Sequence, residues 1–249
     1  MPTLQFRDRK KKRTPPKTRR AELRYASQLR KVAVQVGHLI NGFPAGDPST
    51  VPTITQLLGK YAEALAPWAE RAAAQMLTEV DARDRQMWEQ LSDEMSRELR
   101  KEIRTAPTGA RMQELLQEQV SLITSLPTDA AKRVHELTLA GIEDSTRAKE
   151  IAREIARSGE VSVSSANLIA RTEVARTAST LTQARAEHVG SEGYIWRTAG
   201  DSDVRHSHKQ MNGKFVRWDS PPTLSDGTTT HAGQIYNCRC YPEPVIPEE

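Results

Sequence analysis

The chain is poor in aromatics, poor in cysteine and free of long apolar runs. Aromatic residues make up 5% of its 249 positions. That argues against one large aromatic-packed globule and for long helices lying side by side. No stretch approaches the roughly 18 consecutive apolar residues a membrane span needs, so no membrane partner is expected. The opening residues, MPTLQFRDRKKKRTPP, carry charge with no apolar segment behind them, unlike a secretory signal. Two cysteines without such a signal point to a reducing compartment. A P-loop, a dinucleotide fingerprint and a zincin helix are also missing. His206-Ser207-His208 lacks the glutamate that zinc deaminases need two residues after the histidine, and their Pro-Cys-x-x-Cys run does not occur.

What is present begins with charge. Arg7, Arg9, Lys10, Lys11, Lys12, Arg13, Lys17, Arg19 and Arg20 face a single acid, Asp8, within the first twenty residues. The whole chain is +4, so a slightly acidic body carries a basic arm. Pro15 and Pro16 oppose a helix there. A solvated tail is one reading. A phosphate-binding arm is the sharper one, because cations this dense repel until a polyanion neutralises them. With no aromatic after Phe6, the arm suits non-specific double-stranded DNA backbone contact without base readout.

The body reads as helix. Leu23, Leu29, Val32, Val36 and Ile40 give a helix over 21–41, ended by Gly42 and Pro44. A second helical region spans 52–104, kinked or divided by Pro67. Within it Leu77, Val80, Met87, Leu91, Met95, Leu99 and Ile103 form a packing stripe. A third helix, 112–126, closes at Pro127. Thr128 or Asp129 then caps a helix ending at Gly141. Asp144 or Ser145 caps one ending at Gly159, and Ser164 or Ser165 caps one running to His188. After Gly193 the pattern turns strand-like, with 194–198 and 214–218 able to pair and 235–244 extended. The expected class is α+β: an arm (1–20), a helical region (21–126), and a C-terminal unit (127–249) with helices over 128–188 and a small β end over 193–245.

Potential ligands crowd the last fifty residues. Cys238 and Cys240 are two apart, so on an extended segment they share a face. They are badly spaced for a mutual disulfide but well placed to share a metal. With His208 and His231 they would make a Cys₂His₂ set, the composition of a structural zinc site. Asp201 or His206 could also donate. The alternatives are two buried thiols beside hydrogen-bonded histidines, or a metal- or cysteine-dependent hydrolase built on the same four residues. No glycine-rich oxyanion turn flanks either cysteine.

The order of the pieces is more specific than any one of them. Asn167-Leu-Ile-Ala-Arg171-Thr172-Glu173 precedes Gly193 and Trp196. Asp201, Val204-Arg205-His206 and His208 follow, then Met211-Asn212-Gly213 and finally Asn237-Cys238-Arg239-Cys240. This combination resembles the phage Mu F-like family of minor head, or head-morphogenesis, proteins over about residues 125–245. The resemblance implies a non-enzymatic minor capsid component of a tailed bacteriophage. It further implies a place inside the head at the portal vertex, reached from the host cytoplasm during assembly. Portal, major capsid or scaffolding subunits would be its protein partners, and packaged DNA its other contact. It marks Arg171, Thr172, Glu173, Trp196, Asp201, Arg205 and Gly213, beside His208 and the two cysteines, as the pinned core of a small domain. Arg171 and Glu173 should tie their helix to separate neighbours, and Gly213 should serve a turn between strands.

Overall fold

The computed structural model describes residues 18–45, 47–92, 101, 104–143 and 148–246. The arm residues Arg7 to Lys17 lie outside them. Helix α1 (Arg19–Asn41) buries Tyr25, Leu29, Val32, Val36 and Ile40, the expected three-and-four spacing. Leu23 departs from that expectation at 51% exposure, and Ala21, Ala26 and Ala33 fill the buried stripe instead. Asp47 caps the next turn, Pro48–Thr50, by accepting from the Ser49 amide at 2.9 Å.

Helix α2 (Val51–Ser92) runs through Pro67 as one helix. Helix α3 (Gly109–Glu143) likewise runs through Pro127 and Gly141, which were expected to end helices. A proline inside a helix costs about 3 kcal/mol. Burial on both sides offsets it: Leu65, Ala69, Ala72 and Ala73 flank Pro67, and Ile123, Leu126, Ala130 and Val134 flank Pro127. The boundary expected at 126/127 therefore falls within a continuous helix, and Thr128 and Asp129 are helix interior rather than caps. Asp144 and Ser145 lie outside the described residues, as do the side chains of Leu91, Met95, Leu99 and Ile103. Helix α4 (Ala148–Ala156) is followed after one residue by α5 (Ser158–His188). The last helix thus starts six residues before Ser164, and Gly159 sits in its first turn.

Gly159 is there for a close approach. Helix α1 packs along α5, and a Cβ on Gly159 would stand 2.7 Å from Gly37 Cα. In an open helix Gly→Ala stabilises by about 0.5–1 kcal/mol. Here Gly159→Ala is expected to destabilise by about 1–3 kcal/mol through overpacking. A urea midpoint that rises in the variant would contradict this contact.

Three apolar clusters result. One joins α1, α2, α3 and α5 through Tyr25, Leu29, Leu77, Ile123, Val174 and Leu181. A second, at the far end of α1, holds Val36, Ile40, Leu58, Val134 and Ile155. The third belongs to the C-terminal block, yet it includes Trp88 of α2, which is fully buried. Between the first and third, Arg185 is 2% exposed and donates to Asp81 at 2.6 Å and to Asp84. Thr182 also donates to Asp84. Burial raises the Asp84 carboxyl to about 6 against the pull of Arg185.

The block ends in a three-stranded antiparallel sheet, ordered β2-β1-β3, of β1 (Gly193–Arg197), β2 (Phe215–Arg217) and β3 (Tyr241–Val245). Tyr194 faces Val216 on one side and Pro244 on the other, and Trp196 faces Pro242. Gly193 starts β1 instead of closing the helix before it: a Cβ there would lie 2.3 Å from the Val216 carbonyl oxygen. The paired strands match the expected ones. The stretch before Tyr241, expected to be extended, is a series of turns. Among the described residues no helix is long and apolar enough to cross a membrane.

Candidate functional site

The turns between Thr230 and Tyr241 are held on α5 by the residues singled out in the sequence. Thr172 Oγ1 accepts from the Asn237 amide at 3.0 Å, and Arg171 donates to the Asn237 side-chain oxygen at 3.1 Å. Asn237 itself has φ +55°, a left-handed position that asparagine tolerates better than most residues. Ser179 donates to the Ala232 carbonyl at 2.7 Å. Gly233, φ +82°, passes so close that a Cβ would meet the Cys240 carbonyl oxygen at 2.8 Å. Arg239 pairs with Asp201 at 2.9 Å and Asp203 at 3.2 Å, and Arg205 donates to the Tyr236 carbonyl at 2.9 Å. Arg171, Asp201 and Arg205 are therefore clamps on one loop.

Glu173 does face a separate neighbour. It accepts from Gln119 of α3 at 2.6 Å, and Gln119 accepts from Tyr25 of α1 at 2.9 Å. Burial raises the Glu173 carboxyl, and burial with Glu173 nearby raises the Tyr25 phenol. Arg171 turns the other way, to Asn237 and, at 3.6 Å, to Glu22 of α1.

A single helical turn, α6 (His206–Lys209), presents His208 inward. Gly213, φ +84°, lies in the turn before β2, and its amide donates to the Trp196 carbonyl at 2.8 Å. Trp196 in turn stands edge-on to the His208 ring, with centroids 5.5 Å apart at 89°. His208 Nδ1 then lies 3.4 Å from both Cys238 Sγ and Cys240 Sγ. All three side chains are buried, and no buried partner is found for His208 Nε2. The Cys240 amide donates to Cys238 Sγ at 3.3 Å. The hydrogen bond between the two sulfurs, the largest cause for each, lowers Cys238 to about 6 and raises Cys240.

His231 does not join them. Its Nδ1 is 3.1 Å from the Tyr194 hydroxyl, and its ring packs on Tyr194 and Trp218. Burial lowers its basicity. His206 is exposed, and Asp201 is engaged by Arg239. Among the described residues the His, Cys, Asp and Glu that could share an ion are three: His208, Cys238 and Cys240. Sequence spacing could not single out His208, which lies thirty residues before Cys238, whereas His231 lies only seven before it.

Beside this cluster a cleft of about 1130 Å³ opens between the start of α1, the face of α5 and the end of the block. Arg19, Arg20, Arg83, Arg171 and Arg239 line it, with Glu22 the one acid in its wall. Arg19 and Arg20, read as part of the arm, are in fact the first turn of α1. Arg83 was not singled out in the sequence, where it looks like any exposed helix cation.

Residues 132–242 match the family model described as Phage Mu protein F like protein. An uncharacterized protein of Haemophilus influenzae is 29% identical over 136 residues. That match covers 55% of this chain and 30% of the relative. No solved structure matches.

Proposed function

We propose that this chain, whose residues 132–242 match the family model described as Phage Mu protein F like protein, is a minor head protein of phage head morphogenesis that contacts packaged DNA near the portal. The observation that carries the DNA contact is the position of Thr18. The chain enters the described structure there, on the wall of the cleft that Arg19, Arg20, Arg83, Arg171 and Arg239 line. The seven cations of residues 1–17 precede Thr18 in the sequence. With the arginines of the cleft they supply the charge that binding a phosphate backbone needs. The remainder of the chain, slightly acidic, suits protein contacts with portal, major capsid or scaffolding subunits. Nucleophilic use of Cys238 fits less well, because that side chain is 3% exposed and hydrolysis needs substrate access.

Removing residues 1–17, which leaves α1 whole, tests the reading. Each phosphate neutralised contributes roughly −0.9 to the slope of log affinity against log salt. The truncated protein is expected to bind duplex DNA far more weakly and with a slope several units shallower. Arg20→Glu with Arg83→Glu should flatten the full-length slope by roughly two units more. Fluorescence anisotropy across a salt series measures both, and an unchanged slope in the truncation rejects the DNA contact. Reconstruction of intact particles without imposed symmetry tests the location: density at the single portal vertex is expected, and its absence rejects it.

A further inference from the structure

We propose that His208, Cys238 and Cys240 bind one zinc ion, which fastens the 231–240 loop to α6. The inference rests on this block's geometry and is independent of the phage-head reading.

The three donors come from two segments some thirty residues apart and converge in a buried place, with all ligand atoms within 4.8 Å of one another. As a hydrogen-bond set the arrangement is incomplete. A ring nitrogen carries either a lone pair or a proton, and so serves one sulfur well. His208 Nδ1 instead faces both sulfurs at 3.4 Å. A metal serves all three. With Zn–S about 2.3 Å and Zn–N about 2.0 Å, a tetrahedral ion holds N and S roughly 3.5 Å apart. The observed spacing is therefore that of adjacent ligands on one ion.

The surroundings suit thiolate ligands. The Cys240 amide already donates to Cys238 Sγ at 3.3 Å, a bond that favours a charged sulfur. Trp196 fixes the plane of the His208 ring, and Asn237, in its left-handed conformation, turns the chain so that both sulfurs reach one nitrogen. Binding would release the protons of both thiols and leave Nδ1 as the neutral imidazole donor. No fourth His, Cys, Asp or Glu among the described residues completes the set, so a water takes the fourth position. Cys240 borders the arginine cleft, which is the entry path for ion and water. His231 is no ligand in this assignment.

Elemental analysis of the full chain, purified reduced and without chelator, is expected to find about one zinc per chain. His208→Ala and Cys238→Ser should lose at least nine-tenths of it, while His231→Ala should keep it. Because loss of a buried side chain also weakens folding, a second measurement uses the wild-type chain. Stripped with chelator and titrated with Co²⁺, it should develop a thiolate-to-cobalt charge-transfer band at one equivalent. Zinc should abolish the band and protect both thiols from alkylation. Failure to bind either metal overturns the proposal. So does a Cys238–Cys240 disulfide in the reduced preparation, or loss of metal in a folded His231→Ala variant.

Discussion

Arg185→Ala is expected to destabilise the protein by about 3–5 kcal/mol, the penalty for leaving buried charge without its partner. Arg185 stands 2% exposed between Asp81 and Asp84 and donates to both. Its removal strands the fully buried Asp84 carboxylate on α2, while Asp81 keeps its ion pair with Arg85 at 2.9 Å. Burial already raises Asp84 to about 6 with Arg185 in place, so its loss pushes that carboxyl further towards the neutral form. Urea unfolding at neutral pH measures the effect. Adding Asp84→Asn to Arg185→Ala should return part of the loss, because the second change removes the stranded charge. A double-mutant cycle reads that coupling directly. Strict additivity of the two changes would show that the network does not act as a unit.

Trp88→Ala is expected to cost a similar amount, about 3–5 kcal/mol. The more telling readout is where the damage appears. Trp88 belongs to α2, but it packs with Tyr194, Trp196, Val216 and Trp218 in the C-terminal core. Hydrogen exchange in the variant should therefore accelerate across β1, β2 and β3, a hundred and more residues downstream. Loss of protection confined to α2 would contradict the packing. If the expectation holds, the segment matched by the family model cannot be cut from the helices before it without exposing its core.

The helical stripes were legible because burial follows the 3.6-residue period: 29, 32, 36 and 40 read true. The ends at Asn41 and His188 were legible too, but others were not. Pro127, Gly141 and Gly159 are local signals of termination, and here long-range packing outweighs them. Asp84 was missed for a related reason. It continues the stripe of Leu77, Val80 and Trp88 at a spacing of three and four, and its charge disguised its place. That spacing was the available signal. At the C-terminal block four of the marked residues gather on one loop, because clamps on a tight turn require particular side chains. Arg171, Thr172, Asp201 and Arg205 carry that pattern openly. The separation of His208 from His231 was hidden, since it depends on tertiary packing: His208 stands against Trp196, and His231 against Tyr194 and Trp218.

Strand β3 has a further consequence in its two prolines. Pro242 and Pro244 sit at alternate positions opposite Trp196 and Tyr194, so their nitrogens turn away from β1. A backbone arriving on that flank meets no amide donor at either place, and proline is how sheets refuse an added strand. The opposite flank is β2, three residues long, which offers little to extend. Among the described residues, this sheet therefore favours contacts made through side chains over an added strand.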